Sequence, residues 1–349
     1  MRIALLTIWH DGNYGAEMQA YATVKVLKQL GNDVQMINAR LADTIKPNLR
    51  GRIGETISTL GPAHKKFSDF WSKNIPTTRR YKSLQEIQQD PPEADVYMVG
   101  SDQVWNPVLV KEYINLYMLD FGRDDIKRIS YASSFGRGSW RVNDLGGKAK
   151  HLLSRFHAIS CRETSGLQLL EKLFGIKAST VLDPTLLFDN YAELTGNLSE
   201  KKTLVFYPLT SHQELAQYAE ELGSKLGLEV VNANWRRNIY ANILWDRPSI
   251  GEWIKTIAEA SFVVTPSFHG LAFSIIYHRQ FAVLCTNKLL ANRIENLLSL
   301  LGLTERLYYT FEDMTKAEPW YHPIDYTLIE EKIQFLREKS FCFLMQALS

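Results

Sequence analysis

Short apolar runs rich in β-branched residues alternate along the chain with longer stretches in which apolar residues recur at helical spacing. The first run is Ile3–Ile8, and the stretch after it has apolar positions three or four residues apart and ends at Gly31. A second run covers 34–37. Short apolar runs are typical of buried strands in parallel sheets, and the longer stretches are typical of amphipathic helices. The pattern therefore predicts an α/β fold.

The same alternation occupies two successive regions of the chain. Further strands are predicted to begin at Asp95, Arg128, Ala158 and Thr180 in the first region, and at Thr203, Glu229, Phe262 and Phe281 in the second. Residues 42–92 are polar and interrupted, which favours helices and loops there. We expect two domains, 1–188 and 189–325, that face a cleft, and a last helix within 326–349 that crosses back to the first domain.

The stretch 262–279 combines a strand, a tight turn and a helix. The strand breaks at Pro266, and Ser267 stands where a helix N-cap is expected, so His269 and Gly270 fall in the first helical turn. Unpaired backbone N–H groups and the positive end of the helix dipole favour anions at such a place. The histidine can supply a hydrogen bond or a proton, and the glycine allows a ligand to approach closely. A hydrogen bond from His269 to a neighbouring loop is the alternative.

Polar residues also follow predicted strands of the first region. The loop after the first strand contains Asn13 and Tyr14, and the strand 95–99 is followed by Asp102 and Gln103. In open α/β sheets, ligands bind outside the carboxyl ends of the strands, where these residues lie. Asp102 can act as a general base or can cap the next turn. The glycines near Asn13 do not form the G-x-G-x-x-G motif, so we do not predict a dinucleotide site.

Arg162 lies at the junction between the strand predicted to begin at Ala158 and the helix after it. An arginine at such a junction is suited to bidentate contact with a phosphate or a carboxylate. A salt bridge to Glu163 or to another acidic residue is the alternative.

The composition bears on the classes of partner. The 349 residues include 40 Lys and Arg and 38 Asp and Glu, a formal net charge of +2, so nucleic acid is not an expected partner and the charge balance does not call for a membrane surface. Three scattered cysteines favour a reducing compartment, and no residue spacing calls for a metal. The N-terminal apolar run is expected to be a strand rather than a signal peptide, and no apolar run reaches the roughly 18 residues of a membrane span. We expect a cytoplasmic protein.

Six segments together resemble the polysaccharide pyruvyl transferase family over nearly the whole chain. They are GNYGAEMQAY at 12–21, VGSDQVWN at 99–106, SYASSFG at 130–136, CRE at 161–163, LDPT at 182–185 and SFHG at 267–270. The resemblance implies a glycosyltransferase-B-like fold, in which two Rossmann-like domains hold the active site between them. It also implies the reaction, in which the pyruvyl group of phosphoenolpyruvate is transferred to sugar hydroxyls as a ketal and phosphate is released. Phosphoenolpyruvate is then a co-substrate, and no cofactor is implied.

The resemblance assigns donor-side roles to several residues of the second domain and to one of the first. His269 matches the family's motif histidine, which implies phosphoenolpyruvate binding and acid catalysis. Arg162 and Lys288 are similar in position to cations that offset the negative charge of the donor. Ser267 and Gly270, beside His269 in the motif, are the further donor-binding candidates.

The acceptor-side candidates lie in the first domain. Asp102 is in a region where the family places an acidic residue near the acceptor, so it is the candidate base for the sugar hydroxyl. Asn13, Tyr14 and Gln103 are candidates for acceptor contact or for shaping the loops around it. The expected acceptor is a saccharide, carried on a lipid or a nucleotide during surface-polysaccharide synthesis. Peripheral attachment of the protein to the inner face of the membrane is compatible with such an acceptor.

One residue departs from the pattern of the family. Its members often carry an arginine two residues before the motif histidine, where this chain has Ser267. The change removes a bidentate anion contact unless Arg279, Arg293 or Lys288 replaces it. Two other functions therefore remain open: a glycosyltransferase that uses a nucleotide sugar, because function belongs to the site and not to the fold, and a saccharide-binding or assembly protein without catalysis.

Overall fold

The computed structural model of the protein describes residues 1–9, 12–39, 61–136, 140, 146–208, 213–234, 247–288 and 291–349. The chain divides into two compact units. Unit 1 consists of Met1–Lys46, Trp71–Phe188 and Ile333–Ser349, and unit 2 consists of Pro47–Phe70 and Asp189–Lys332. No helix among the described residues combines the length and the apolar character needed to cross a bilayer.

Unit 1 contains, in its described residues, a sheet of seven parallel strands. The strands are β1 (Arg2–Leu6), β2 (Asp33–Ala39), β3 (Thr77–Tyr81), β4 (Val96–Val99), β5 (Lys127–Ser133), β6 (Ala158–Cys161) and β7 (Ser179–Thr180). Their order across the sheet is β3-β2-β1-β4-β5-β6-β7. Strands β1 to β3 are added in one direction and β4 to β7 in the other, so the strand order reverses between β1 and β4, as in Rossmann-type folds. Strand β4 is buried along its whole length, which explains why its sequence is a continuous apolar run.

Helices connect these strands. In chain order they are α1 (Tyr14–Gln29), α2 (Pro62–Asn74), α3 (Leu84–Gln89), α4 (Pro107–Val110), α5 (Ile114–Tyr117), α6 (Gly146–Ser154), α7 (Thr164–Leu169) and α8 (Pro184–Leu187). Helix α1 begins at Tyr14 because the Asn13 side chain accepts hydrogen bonds from the backbone N–H groups of Gly15 and Ala16. Side chains from the strands and the helices pack into one large apolar cluster that includes Val99, Trp105 and Phe135.

Unit 2 contains a five-stranded parallel sheet in its described residues. The strands are β8 (Thr203–Phe206), β9 (Glu229–Asn232), β10 (Phe262–Thr265), β11 (Gln280–Leu284) and β12 (Leu307–Tyr308), in the order β12-β11-β10-β8-β9. The helices are α9 (Ala192–Thr195), α10 (Gln213–Leu226), α11 (Ile250–Ala258), α12 (Phe268–Ile276), α13 (Asn292–Leu301), α14 (Phe311–Ala317) and α15 (Thr327–Leu348). The direction of winding reverses between β8 and β10.

Helix α15 starts in unit 2 and ends in unit 1. Within unit 1, the Ser340 hydroxyl accepts a hydrogen bond from the backbone N–H of Leu182 at 2.9 Å. The Arg337 side chain donates to the backbone carbonyl of Leu186 at 2.8 Å. The end of the helix is therefore tied to the segment that follows β7 in unit 1.

Most predicted elements are present, and the differences from the sequence expectation include three in unit 1. Strand β3 lies inside the region predicted to hold only helices and loops, because it is a polar edge strand that is mostly exposed and so has no apolar run. The strand predicted to begin at Thr180 is only the short β7, since Asp183 caps helix α8 and Pro184 is its first residue. Tyr14, predicted to lie in the loop after β1, is instead the first residue of α1, because Asn13 caps the helix there.

Candidate functional site

The carboxyl ends of four strands mark the places where each unit can bind a ligand. In doubly wound sheets, ligands bind outside these ends, at the point where the strand order reverses. In unit 1 this point lies beyond β1 and β4, next to Asn13 and Asp102. In unit 2 it lies beyond β8 and β10, next to Tyr207 and Ser267.

In unit 2, the turn from β10 into α12 is held by hydrogen bonds from its own side chains. The Ser267 hydroxyl accepts from the backbone N–H of Gly270 at 3.2 Å, which makes Ser267 the N-cap that the sequence predicted. The Thr265 hydroxyl accepts from the Ser267 N–H at 3.0 Å and donates to the Tyr207 carbonyl at 2.9 Å. These bonds fix the start of α12 against the end of β8.

Gly270 is required by packing. A Cβ atom built at this position would lie 2.6 Å from the Thr265 hydroxyl and 3.0 Å from a ring carbon of Tyr207. Both neighbours belong to the protein, so the space above Gly270 is filled without a ligand. Close approach of a ligand is therefore not needed to explain this glycine, although the donor contact suggested by the resemblance stays a prediction.

His269 lies in the first turn of α12, two residues after the cap. It is 7% exposed, and its ring contacts that of Phe268 edge to face, with 5.2 Å between the centroids. The first turn of a helix carries the positive end of the helix dipole. The structure therefore places this histidine at the carboxyl edge of the sheet, beside the point of reversal, where the sequence predicted it.

In unit 1, Arg162 is surrounded by carboxylates. Its guanidinium lies 2.7 Å from Asp183, 3.1 Å from Asp102 and 3.7 Å from Glu163, and its side chain is 1% exposed. Burial alone would lower the pKa of Arg162, but the three carboxylates outweigh this effect and raise it above its usual value. Arg162 thus makes the salt bridges that the sequence left as the alternative. This geometry does not favour the predicted donor contact, because the surrounding carboxylates repel an anion.

Asp183 organises this cluster, although the sequence analysis gave it no role. One carboxylate oxygen accepts from Arg162 and, at 2.9 Å, from the Ser101 hydroxyl. The other accepts from the backbone N–H of Thr185 at 3.0 Å and from its hydroxyl at 2.7 Å. The Asp-Pro-Thr sequence after an apolar run is the signal for this helix cap, but only the fold reveals that the same carboxylate binds Arg162.

Asp102 is the exposed member of the cluster. Its side chain is 14% exposed, whereas those of Arg162 and Asp183 are 1% and 0% exposed. Its φ angle of 73° is in the left-handed region, which non-glycine residues rarely adopt and which often occurs at functional sites. Its carbonyl accepts from the Ser134 N–H at 2.9 Å, which holds this conformation. The arrangement presents one carboxylate at the carboxyl end of β4.

The other acceptor-side candidates of unit 1 have structural partners. The Asn13 side chain caps α1, and Tyr14 is fully buried. The Gln103 side chain accepts a hydrogen bond from the Asn106 amide at 2.7 Å. These contacts explain the positions of the three residues without a bound saccharide. Their contact with the acceptor saccharide therefore stays a prediction.

The cations proposed to replace the missing arginine lie at different ends of unit 2. Lys288 follows the carboxyl end of β11, and its ammonium lies 4.9 Å from the centre of the Tyr309 ring. Arg293 is in the first turn of α13, on the same side of the sheet as the strand ends. Arg279 precedes β11 and binds Tyr277 and Glu200, so it lies at the amino edge and cannot take that role.

Within the described ranges, no group of three or more histidine, cysteine or acidic side chains is arranged to hold a metal ion. Each unit therefore has its own set of candidate groups. Unit 2 offers Ser267, His269 and Gly270 in one turn, with Lys288 at the neighbouring strand end. Unit 1 offers Asp102, held by Arg162. These groups are suited to acid and base chemistry and, in unit 2, to binding an anion.

Solved structures of sugar-active enzymes share the fold. Spinosyn forosaminyltransferase SpnP is 12% identical, with 97% of this chain and 94% of that chain covered and a TM-score of 0.51. UDP-GlcNAc 2-epimerase from Methanocaldococcus jannaschii is 11% identical, with coverage of 91% and 92% and a TM-score of 0.54. An alpha-glucosyltransferase in complex with UDP and DNA is 12% identical, with coverage of 99% and 98% and a TM-score of 0.50. No curated protein gave a significant sequence match.

These similarities show the fold and not the activity. They confirm the predicted class, an α/β protein with parallel sheets and a glycosyltransferase-B-like fold. The family profile of polysaccharide pyruvyl transferases matches residues 13–286, which include the turn from β10 into α12 and the Arg162 cluster. The chain belongs to the polysaccharide pyruvyl transferase family and, by that membership, is a transferase. The resemblance found in the sequence is thereby confirmed.

Proposed function

We propose that the protein transfers the pyruvyl group of phosphoenolpyruvate to two hydroxyls of a sugar, forming a pyruvate ketal and releasing phosphate. The observation that carries this proposal is the position of His269, in the first turn of α12 at the point where the strand order of unit 2 reverses. Membership of the polysaccharide pyruvyl transferase family supports it. The proposed acceptor is a lipid- or nucleotide-linked saccharide in surface-polysaccharide synthesis, in the cytoplasm or at the inner face of the membrane.

The reaction needs an acid for the enol carbon and a base for the sugar hydroxyl. We assign the acid to His269, which protonates the methylene carbon as positive charge develops on the carbon that bears the phosphate. One hydroxyl adds to that carbon and loses its proton, phosphate leaves, and the second hydroxyl adds in the same way. Of the two hydroxyl protons, one replaces the proton given by His269 and the other leaves with phosphate. No metal or organic cofactor takes part in these steps.

We assign the base to Asp102 in unit 1. Its carboxylate is partly exposed at the carboxyl end of β4, and the Arg162 guanidinium donates to it at 3.1 Å. This bond orients the carboxylate, so Arg162 acts as a positioning residue and does not need to touch the donor. Asp183 in turn holds Arg162 from the buried side. The buried ion pair of Arg162 and Asp183 thus orients the carboxylate that accepts the proton of the sugar hydroxyl.

The test of this proposal is ligand-dependent stability of the full chain. A ligand at about 100 times its dissociation constant stabilises a fold by roughly 2.7 kcal/mol, which is visible as a raised unfolding midpoint. We expect phosphoenolpyruvate to raise the midpoint, and His269→Ala to reduce both this shift and the transfer rate, the latter by at least ~10²-fold. His278→Ala is the matched control, because His278 follows α12 at its other end and pairs with Glu330.

Two results would redirect the proposal. A midpoint that rises with UDP-glucose but not with phosphoenolpyruvate would favour a glycosyltransferase, a reaction compatible with the fold of the structural neighbours. Binding of saccharide without turnover, unchanged by His269→Ala, would favour a binding or assembly protein.

A further inference from the structure

A phosphorylated carboxylic acid brings at least two anionic groups into its site, and each needs a donor with positive charge. In the turn that carries His269, the Ser267 hydroxyl is used as the helix cap and carries no charge. The cation that binds the donor must therefore come from elsewhere along the carboxyl edge of unit 2. Arg247, to which the sequence analysis gave no role, lies at this edge.

Hydrogen bonds place Arg247 at the ends of β9 and β8. Its guanidinium donates to the side-chain oxygen of Asn234 at 2.7 Å, and Asn234 lies just beyond the carboxyl end of β9. The Asn234 amide donates in turn to the backbone carbonyl of Pro208 at 3.0 Å, just beyond β8. Arg247 is therefore on the ligand-binding edge of the sheet and not on a helix-covered face.

The turn that carries His269 contacts the same strand end. Tyr207 directly precedes Pro208, its carbonyl accepts from Thr265, and its ring limits the space at Gly270. Neighbouring parallel strands are about 4.8 Å apart, so the ends of β9 and β10, on either side of β8, are roughly 10 Å apart. A donor that lies over the end of β8 is therefore about one strand spacing from both the turn that carries His269 and the Arg247 guanidinium.

Two contacts hold Arg247 in place from the other side. Its guanidinium lies 5.5 Å from the centre of the Phe67 ring, and its carbonyl accepts from the Lys66 ammonium at 2.8 Å. Both residues belong to the part of α2 that is in unit 2. The residue is 5% exposed, so its side chain is ordered before any ligand binds. A guanidinium that is oriented before the ligand arrives loses less freedom on binding a phosphate or a carboxylate, and therefore binds it more tightly.

The strand order places a second cation on the opposite flank. In the order β11-β10-β8-β9, Lys288 follows the end of β11, and Arg247 is held at the ends of β8 and β9. The turn after β10 lies between them. A donor with an anionic group at each end is matched by cations on both sides of His269.

We infer that Arg247, supported by Lys66, binds an anionic group of the donor beside His269 in unit 2. This inference rests on the proposed function and deepens it, because it names the residue that recognises phosphoenolpyruvate. The guanidinium forms charge-assisted hydrogen bonds to the phosphate or the carboxylate and carries no proton in the reaction. Arg247 is thus a binding residue whose loss raises KM more than it lowers kcat.

The experiment measures the dissociation constant of phosphoenolpyruvate by calorimetry for the wild-type full chain, Arg247→Gln and Arg279→Gln. Arg279→Gln is the matched control, because it removes an equal charge from the amino edge of the same unit. We expect Arg247→Gln to weaken binding by about 10- to 100-fold, the scale of a lost charge-assisted hydrogen bond, and Arg279→Gln to leave it unchanged. Inorganic phosphate is the second probe, and the same loss for it would identify the phosphate as the group bound.

Three binding results would overturn the inference. Wild-type affinity in Arg247→Gln, with binding intact in the wild type, overturns the inference and leaves the proposed function standing. Equal weakening in both variants overturns it as well, because a general loss of charge would then explain the effect. A wild-type protein that does not bind phosphoenolpyruvate overturns both. If Arg247→Gln does not fold, Arg247→Lys and Lys66→Met replace it, with about 3- to 10-fold weakening expected and unchanged affinity contradicting the inference.

Discussion

The Arg162 guanidinium and the Asp183 carboxylate form a buried ion pair at 2.7 Å, with side chains that are 1% and 0% exposed. Asp183 also accepts from Ser101 and Thr185, so the carboxylate is surrounded by donors. A buried ion pair contributes little net stability as a pair, but removing one partner leaves the other charge buried and unmatched. Loss of either partner should therefore destabilise unit 1 and also disturb the orientation of the Asp102 carboxylate, which Arg162 binds.

We predict that Asp183→Asn destabilises the protein by about 3 kcal/mol, because Arg162 loses its shortest ion pair inside the fold. The measurement is the urea midpoint of the variant against that of the wild type. Glu312→Gln is the control, since it breaks an ion pair with Lys316 whose side chains are 76% and 72% exposed. It should change the free energy of unfolding by less than about 1 kcal/mol. Equal effects in the two variants would show that the buried pair has no special role.

The packing at Gly270 predicts a steric cost for any side chain there. Gly270→Ala places a methyl group against Thr265 and Tyr207, so we expect a loss of about 1–3 kcal/mol in the free energy of unfolding. Gly147→Ala in α6 is the matched change, because nothing lies within 4 Å of a Cβ built at Gly147. It should be neutral or stabilising by up to about 1 kcal/mol. The measurement is the thermal unfolding midpoint of each variant. A Gly270→Ala midpoint equal to that of the wild type would contradict the close packing at Gly270.

Glu259 gives unit 2 a pH dependence. Burial alone would raise the pKa of this carboxyl, but bonds from Lys201 and from the Ser199 N–H outweigh it and hold the pKa below its ordinary value of 4.5. A lowered folded-state pKa means that the stabilisation is present above about pH 4.5 and is lost as the pH falls through the lower folded value. We predict that the difference in unfolding free energy between the wild type and Glu259→Gln shrinks from about pH 7 to about pH 3.

The control for this pH dependence is Glu200→Gln, which removes an acidic side chain that is 86% exposed. Its urea midpoints should follow those of the wild type across the same pH range. A constant difference between the wild type and Glu259→Gln would contradict the role assigned to Glu259.

The three thiols should differ in reactivity. Cys161 and Cys285 are buried, and burial raises the pKa of each thiol, whereas Cys342 is exposed. Because the thiolate is the reactive form, we predict that an aromatic disulfide reagent labels Cys342 rapidly and the other two only on unfolding. Cys342→Ser should abolish the rapid phase. Rapid labelling that persists in this variant would place Cys161 or Cys285 at the surface.

The sequence predicted most where local chemistry decides the structure. Strand β10 begins at the predicted Phe262, because its apolar run is buried, and Ser267 caps α12 because the residues after it form a buried helix. Strand β3 was not predicted, since a polar edge strand lacks the apolar run on which the prediction depended. Local patterns therefore sufficed for strands with an apolar run and not for a polar edge strand.

The candidate site was less accessible to sequence reasoning, because its contacts join distant residues. Asp102, Arg162 and Asp183 follow different strands, and only the order β4-β5-β6-β7 brings them together. Arg247 belongs to no motif, and its position at the carboxyl edge follows from its bond to Asn234. The turn with His269 was predictable, because its cap and its helix are contiguous in the chain.

Helix α15 gives the protein an order of assembly during synthesis. Its last part belongs to unit 1 and binds there through Ser340 and Arg337, but the ribosome produces it after all of unit 2. Unit 1 cannot reach its final packing until those residues leave the exit tunnel, although most of its sheet is translated first. A nascent chain stalled before Ile333 would thus expose the groups at Leu182 and Leu186 that α15 later covers. Chaperone dependence of this protein should accordingly concentrate on its earliest-translated unit.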